Sequence, residues 1–253
     1  MIAPSSFLPS SIHYRLSFFE LLLYLGQVSE MKTTEFTQLF RANRHSEKQK
    51  QMEQYMRNQF EFLGLQATER RALAKDFLTF KTKEAKESGI DWDLLFLLWE
   101  LPEREFQLTG LDYLKRVEKL LVLEDLPRLQ HLVLTKSWWD TIDFLAKNIG
   151  SLVLKEPQLL GEMKTWSLAD NMWMRRVAIL HQLSFKADTN HELLCEIILN
   201  NIGEDEFFIQ KAIGWALREY AKTKELWVRD FVSSFQNELS KLSYREATKN
   251  IRM

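Results

Sequence analysis

The sequence predicts an all-α protein built from stacked pairs of helices, and three observations indicate this fold class. The 253 residues include only 8 Gly and 5 Pro, too few turn residues for a β-rich or doubly wound α/β chain. Hydrophobic residues make up 45% of the chain and charged residues 27%, the balance of a globular protein with a sizeable core. Finally, helical segments recur with a weak period of about 35 residues, which is typical of helical solenoids of the HEAT type.

The period is visible in three similar segments. Met174–Leu180 overlays Ile209–Trp215 at an offset of 35 residues, and Phe106–Leu111 overlays the residues from Met174 onward at an offset of 68. A single helix pair cannot bury its apolar face, but stacked pairs share a continuous core. The sequence therefore predicts one HEAT-like domain over residues 31–253, with a concave face made by the second helix of each pair.

Residues 1–30 differ in character from the rest of the chain. Their apolar run Leu16–Gly26 contains Glu20 and is too short for a membrane span, and it lacks the features of a signal peptide. We expect residues 1–30 to be a dispensable amino-terminal extension and expect no association with membranes.

Capping residues and chain breaks predict the first helices in order. Thr34 and Ser46 are expected amino-terminal caps, and a long helix is predicted from Glu47 to Phe62, before Leu63-Gly64. Glycine favours the end of a helix because it adopts the left-handed conformation without strain. Another helix is predicted over residues 68–80.

Acidic caps and prolines predict the later helices. Asp91 caps a helix that ends at Leu101, Pro102 occupies the first turn of a helix to about Leu121, and Leu126-Pro127 begins the next, since proline is tolerated in a first turn. The remaining helices are predicted over residues 138–153, 170–183, 192–202, 206–220, 224–239 and from 243 to the end.

Cysteine and histidine usage indicates neither a disulfide framework nor a metal site. Cys195 is the one cysteine and lies in an apolar run, so we expect a small buried side chain and a reducing compartment. The five histidines show no metal-binding spacing, and we expect no bound metal.

Charge is distributed unevenly along the chain. The net charge is −1, so binding to nucleic acid would need a local basic face. Residues 31–89 carry 12 Lys+Arg against 8 Asp+Glu, which gives +4. Basic side chains on a concave helical surface can follow a phosphate backbone, although most charges on helices simply face solvent. The exposed basic residues expected on the concave face are Arg70, Arg71, Lys75, Arg175 or Arg176, Lys211, Arg218 and Lys222.

The segment Lys136–Asp143 combines two tryptophans with two carboxylates. In a helix, Trp139 and Asp143 are four residues apart and project from the same surface, where they could stabilise a developing positive charge. A structural interpretation stays open, because tryptophans at helical spacing usually belong to a core. Trp215 follows Gly214 within a predicted helix, and glycine at such a position indicates that another element packs closely there.

Five stretches in a fixed order make the sequence similar to a known family. They are Tyr55–Gln66 with Glu69–Arg71, Leu101–Gln107, Thr135–Asp143, Asp170–Arg176 and Phe207–Lys222. Through them the chain resembles the AlkD-type DNA alkylation repair family, the HEAT-like alkylpurine DNA glycosylases, from about Glu35 to Ile251. One departure is that the chain stops at Met253, where a further helix would be expected to finish.

The resemblance implies an enzyme that binds double-stranded DNA and removes cationic N3- or N7-alkylated purines without a cofactor. It implies that Asp143 is the catalytic carboxylate and that Trp139 and Trp215 flank the lesion nucleotide. The DNA-binding residues expected from the resemblance and from the basic face are Tyr55, Gln66, Arg176, Lys211 and Arg218. We expect a cytoplasmic monomer, associated with the nucleoid in a bacterium.

Two alternatives stay open at the level of sequence. A HEAT-like protein of this kind could be a non-catalytic scaffold or a binder of DNA structure, since a fold alone does not define a function. A plain protein-interaction solenoid is less compatible with the arginines that match phosphate contacts. The joint presence of Asp143, Trp139 and Trp215 favours the enzyme.

Overall fold

The computed structural model describes residues 31–251, so the expectation about residues 1–30 lies outside the described part. Within residues 31–251 the chain forms twelve α-helices and no strand apart from one isolated bridge between Glu61 and Glu103. The predicted all-α class is confirmed. None of the helices in this range combines the length and apolar character that a membrane span requires.

The helices are numbered in chain order. They are α1 Thr33–Ala42, α2 Ser46–Tyr55, α3 Ala67–Ser88, α4 Trp92–Glu100, α5 Arg104–Val117, α6 Leu126–Leu134, α7 Trp139–Lys155, α8 Leu160–Ser167, α9 Met172–Leu180, α10 His191–Leu199, α11 Phe207–Ser234 and α12 Lys241–Thr248. Helix α11 contains one non-helical residue, Lys224, where two helical segments meet.

The helices form two rows. Helices α3, α5, α7, α9 and α11 pack side by side in one row, while α4, α6, α8 and α10 form the other row behind it. Side-chain hydrogen bonds repeatedly link residues 32 to 37 positions apart, such as Arg104 with Lys136 and Thr141, or Lys211 with Glu246. This spacing is one helix pair, so the HEAT-like repeat predicted from the weak sequence period is confirmed.

Helix α2 ends earlier than predicted. It stops at Tyr55 and not at Phe62, because Arg57 and Asn58 adopt positive φ angles of 56° and 55°. The backbone N–H groups from Leu63 to Leu65 then donate to the buried Glu105 carboxylate at 2.9 to 3.1 Å. The Glu105 carboxylate thus accepts the backbone hydrogen bonds that a continued helix would have formed within itself. Tyr55 is therefore the last residue of α2.

Several other predicted boundaries differ from the structure. Thr34 lies inside α1, whose cap is Lys32, and Pro102 precedes α5 instead of lying in its first turn. The sequence interpretation missed α8 altogether and ended α3 eight residues early. By contrast, the cap at Asp91 is confirmed, because its carboxylate accepts from the N–H of Leu94 at 2.9 Å.

Candidate functional site

The amino-terminal end of α7 is fixed by a buried arginine. Arg104 donates to both carboxylate oxygens of Asp140, at 3.1 and 2.6 Å, and to the carbonyl of Lys136 at 2.8 Å. Lys136 has a positive φ of 47°, and the extended Trp138 leads into the helix. These bonds hold the turn that places Trp139 at the first position of α7, in the helical register with Asp143 that the sequence predicts.

Asp143 forms a two-pronged ion pair with Arg176 of α9. The Arg176 Nε lies 2.8 Å from Oδ1 and Nη2 lies 3.0 Å from Oδ2, while Nη1 donates to the carbonyl of Phe208. The Asp143 side chain keeps 19% of its surface exposed and Arg176 only 5%. Burial raises the pKa of the Asp143 carboxyl above its ordinary value, even though the hydrogen bonds and charge of Arg176 act in the opposite direction.

The burial of Arg176 corrects the expectation that it is exposed on the basic face. Arg70 is buried too, and it pairs with Asp112 at 2.9 Å. An isolated guanidinium in a protein interior is costly, and a carboxylate partner offsets that cost. A direct contact between Arg176 and a phosphate therefore stays a prediction.

Most of the candidate residues line one cleft of about 320 Å³. It is formed by α7, α9, α11, α12 and the end of α2. The lining side chains are Tyr55, Trp139, Asp143, Arg176, Phe207, Phe208, Lys211, Trp215, Arg218 and Glu246. The structure thus brings together residues that are up to 191 positions apart, from Tyr55 to Glu246.

The two adjacent tryptophans have different surroundings. Trp139 meets the exposed Tyr55 edge to face, with ring centroids 6.0 Å apart. Trp138 packs instead with Trp173 and Phe208, at centroid distances of 5.8 and 5.2 Å. Trp139 is therefore part of the cleft wall, whereas Trp138 belongs to the aromatic cluster behind it.

Two cations of α11 share one carboxylate in the cleft. Lys211 Nζ lies 2.9 Å from Glu246 Oε1, and Arg218 Nη1 pairs with Oε2 of the same residue. The hydrogen bond from Lys211, with smaller contributions from Arg218, holds the pKa of Glu246 below its ordinary value. Both cations line the cleft as the sequence predicts, but each already forms an ion pair with Glu246.

Gln66 lies outside this cleft. It occupies the position before α3 without a capping side-chain hydrogen bond and is exposed. It lines a neighbouring hollow of about 340 Å³ together with Tyr55 and Arg70. Tyr55 borders both spaces. Lys222 lies elsewhere and pairs with Glu219 at 2.7 Å.

Sequence reasoning missed Phe207, Phe208 and Glu246 as members of the cleft. The two phenylalanines are adjacent at the start of α11, so the helical period of the sequence does not indicate which face of the helix either side chain occupies. Glu246 follows Lys211 by 35 positions, which is one repeat, so the period itself was a signal for that contact. Within residues 31–251, no group of three or more His, Cys, Asp or Glu side chains could hold a metal ion.

Comparison with known proteins gives a consistent assignment. The family model described as DNA alkylation repair enzyme matches residues 36–251. A solved structure described as a predicted DNA alkylation repair enzyme from Enterococcus faecalis is 34% identical, with a TM-score of 0.76 over 83% of this chain and 97% of that one.

A second solved structure shows the fold alone. It is smu.31 from Streptococcus mutans UA159, which is 20% identical with a TM-score of 0.54 over 72% of this chain and 98% of that one. No curated protein matches the chain.

Proposed function

The chain belongs to the DNA alkylation repair enzyme family, and from this premise we propose that it is a DNA glycosylase. Its substrate would be duplex DNA that carries a cationic N3- or N7-alkylated purine. Hydrolysis of the N-glycosidic bond turns such a purine into a neutral leaving base, so no general acid is required. Positive charge moves instead onto the deoxyribose, as in other glycosidic transition states.

The observation that carries the proposal is the fixed, partly open carboxylate of Asp143. Two hydrogen bonds from Arg176 orient the carboxylate, and its side chain, which is 19% exposed, lines the cleft. A charge that is already oriented needs no reorganisation when the transition state forms, and such preorganisation is often the largest contribution to catalysis. We infer that Asp143 stabilises the developing sugar cation and orients the attacking water.

The other cleft residues supply complementary interactions. The electron-rich faces of Trp139 and Trp215 can contact the developing cation, each contributing about 0.5–2 kcal/mol. Lys211 and Arg218 would bind backbone phosphates. The family resemblance assigns Tyr55, and Gln66 in the neighbouring hollow, to contacts with the opposing strand. The proposed reaction needs no cofactor.

A non-catalytic DNA binder is the alternative, and one observation favours it. Both oxygens of Asp143 are already bonded to Arg176, as in a purely structural ion pair. On that view, the cleft would recognise distorted DNA without cleaving it. The two functions differ in whether a base is released.

The test is release of 7-methylguanine or 3-methyladenine from alkylated duplex DNA by the full chain. Asp143→Asn keeps the shape of the side chain and removes its charge, so we expect about a hundredfold or greater loss of the single-turnover rate, the scale seen when one transition-state contact is removed. Binding to the same DNA should persist. Asp93→Asn is the matched control, because it removes an exposed carboxylate on α4 in the other row of helices.

Release by the wild type and the control but not by Asp143→Asn is the expected result. Equal release by Asp143→Asn would contradict the role of Asp143. If no protein released a base while lesion-containing DNA was still bound, the non-catalytic alternative would be correct.

A further inference from the structure

Glu246 is a second carboxylate in a cleft that is proposed to bind a polyanion. Its two oxygens accept from two different cations, Lys211 through Oε1 and Arg218 through Oε2. The backbone carbonyl of Glu246 lies 3.4 Å from the same Arg218 nitrogen. An acidic side chain opposes DNA binding electrostatically, so its position between two expected phosphate ligands requires an explanation.

The fold delivers Glu246 to this position through a close approach of two helices. A Cβ atom on Gly214 of α11 would lie only 2.5 Å from the Glu246 Cβ and 2.9 Å from the Ser243 carbonyl. The Ser243 hydroxyl also donates to the carbonyl of Gln210 at 2.9 Å. This is the close packing that glycine beside Trp215 indicated in the sequence, and it anchors α12 so that Glu246 has little freedom to move away.

The pairing leaves both cations able to bind a further anion. An ammonium has three donors and a guanidinium has five, and only one nitrogen of each cation donates to Glu246. The Lys211 side chain is 38% exposed and that of Arg218 is 22% exposed. With Asp143 and Arg176 forming a neutral pair, the trio of Lys211, Arg218 and Glu246 keeps one net positive charge in the cleft.

We propose that Glu246 is a positioning residue that holds Lys211 and Arg218 side by side, so that together they form one phosphate site beside the lesion. This inference rests on the proposed function. Long basic side chains lose rotamer freedom when they bind an anion, and a carboxylate that has already ordered them lowers that cost. The phosphate then lies at a fixed distance from Asp143, which sets the position of the scissile sugar.

A positioning role predicts opposite changes in binding and in rate for Glu246→Gln. Removing the carboxylate charge adds one net positive charge, so affinity for undamaged duplex DNA should rise and the slope of log K against log salt should steepen by about 1. The single-turnover excision rate at saturating enzyme should fall by roughly ten- to a hundredfold, because a displacement of about 1 Å has effects of that size.

Glu196→Gln is the matched control. It removes the same charge from α10, where Glu196 pairs with Lys164 at 2.6 Å outside the cleft, and should change neither binding nor rate. Thermal unfolding of both variants provides the readout of folding.

Tighter binding with slower excision by Glu246→Gln supports the proposal. Tighter binding with faster excision would overturn it and show that Glu246 masks the cations. An unchanged rate, or losses of both binding and rate with a lower unfolding temperature, would overturn it as well. If the wild type itself releases no base, the proposed function fails and the inference fails with it. The wild-type measurement alone identifies that outcome, so it cannot be confused with a failure of the inference about Glu246.

Discussion

Helix α7 carries two aspartates, each held by an arginine from a neighbouring helix, and the two pairs differ in their environment. Arg104 and Asp140 have side chains that are 0% and 8% exposed. Thr141 Oγ1 also accepts from Arg104 at 3.0 Å, and the guanidinium lies 3.8 Å from the centroid of the Phe60 ring. This pair is almost fully enclosed, and its contacts join α5, α7 and the loop after α2.

The second pair opens onto the cleft. Asp143 is 19% exposed, and burial raises its pKa despite the presence of Arg176. Raised carboxyl pKa values beside a cleft are common at functional sites. An Arg–Asp pair alone therefore does not identify a site. What differs is whether one edge of the carboxylate faces a space that a ligand can enter.

The largest expected effect is the loss of stability in Arg104→Met. This change leaves Asp140 buried without its partner, and breaking a buried pair in this way typically costs about 3–5 kcal/mol. Arg176→Met should cost less in unfolding free energy, because Asp143 is partly exposed and can take up a proton at its raised pKa. Urea unfolding of the two variants measures the difference.

A double variant provides the control for this prediction. Arg104→Met combined with Asp140→Leu removes both charges, so it should recover part of the lost stability. A greater loss of unfolding free energy in Arg176→Met than in Arg104→Met would contradict the assignment of the enclosed pair to structure.

A smaller effect is expected from substitutions of the adjacent tryptophans. Like the two aspartates, one of them is structural and the other lines the cleft. Trp138→Ala should lower the unfolding free energy toward the lower end of roughly 3–5 kcal/mol, because Trp138 packs in the aromatic cluster but is only half-buried. Trp139→Ala should mainly slow excision, by the rate equivalent of about 0.5–2 kcal/mol. Calorimetry and single-turnover rates separate the two outcomes. An equal loss of stability in both variants would contradict the assignment of Trp138 to the core and Trp139 to the cleft.

The pH dependence of excision is the smallest of these effects near neutral pH. The proposed mechanism requires ionised Asp143, whose pKa is raised above the ordinary value of 3.8. The rate should therefore fall as pH decreases through this raised pKa, by about tenfold per unit below it. The decline should begin at a higher pH than an unperturbed aspartate would give. Rates need correction for spontaneous depurination, measured on the same DNA without protein.

The same raised pKa has a consequence for stability with a defined sign. A carboxyl with a raised folded-state pKa stabilises the fold below its unfolded-state pKa, and this contribution is lost as pH rises through the folded value. Ionised Asp143 therefore costs stability at neutral pH. Asp143→Asn removes this cost but leaves Arg176, whose side chain is only 5% exposed, without a charged partner. The two effects oppose each other, so its unfolding temperature at pH 7 should fall by less than that of Asp140→Asn.

Local signals predicted a large part of this architecture from the sequence. Scarce glycine and proline predicted the all-α class, the cap at Asp91 predicted the start of α4, and the spacing of Trp139 and Asp143 predicted their shared helix. Gly214 indicated a close contact that α12 makes in the structure. Each of these signals lies within a few residues of the feature it predicts.

The parts that could not be predicted depend on partners distant in the chain. Arg176 looked like an exposed helix charge, because its partner Asp143 lies 33 residues earlier. The end of α2 at Tyr55 depends on Glu105, whose carboxylate binds backbone groups 40 to 42 residues away. The spacing from Trp139 and the family resemblance singled out Asp143, but only the packed structure shows that Arg104 holds Asp140 away from the cleft while Asp143 lines it.

The most direct test of this account is to compare Asp140→Asn and Asp143→Asn in the same two measurements, thermal unfolding and single-turnover release of 7-methylguanine at a temperature where both variants are folded. We expect Asp140→Asn to unfold at a lower temperature than the wild type and still release the base. Asp143→Asn should lose less in unfolding temperature than Asp140→Asn and release almost none. If Asp143→Asn kept the wild-type rate, or if folded Asp140→Asn lost it to the same extent, the division between a structural pair and a catalytic pair would be wrong.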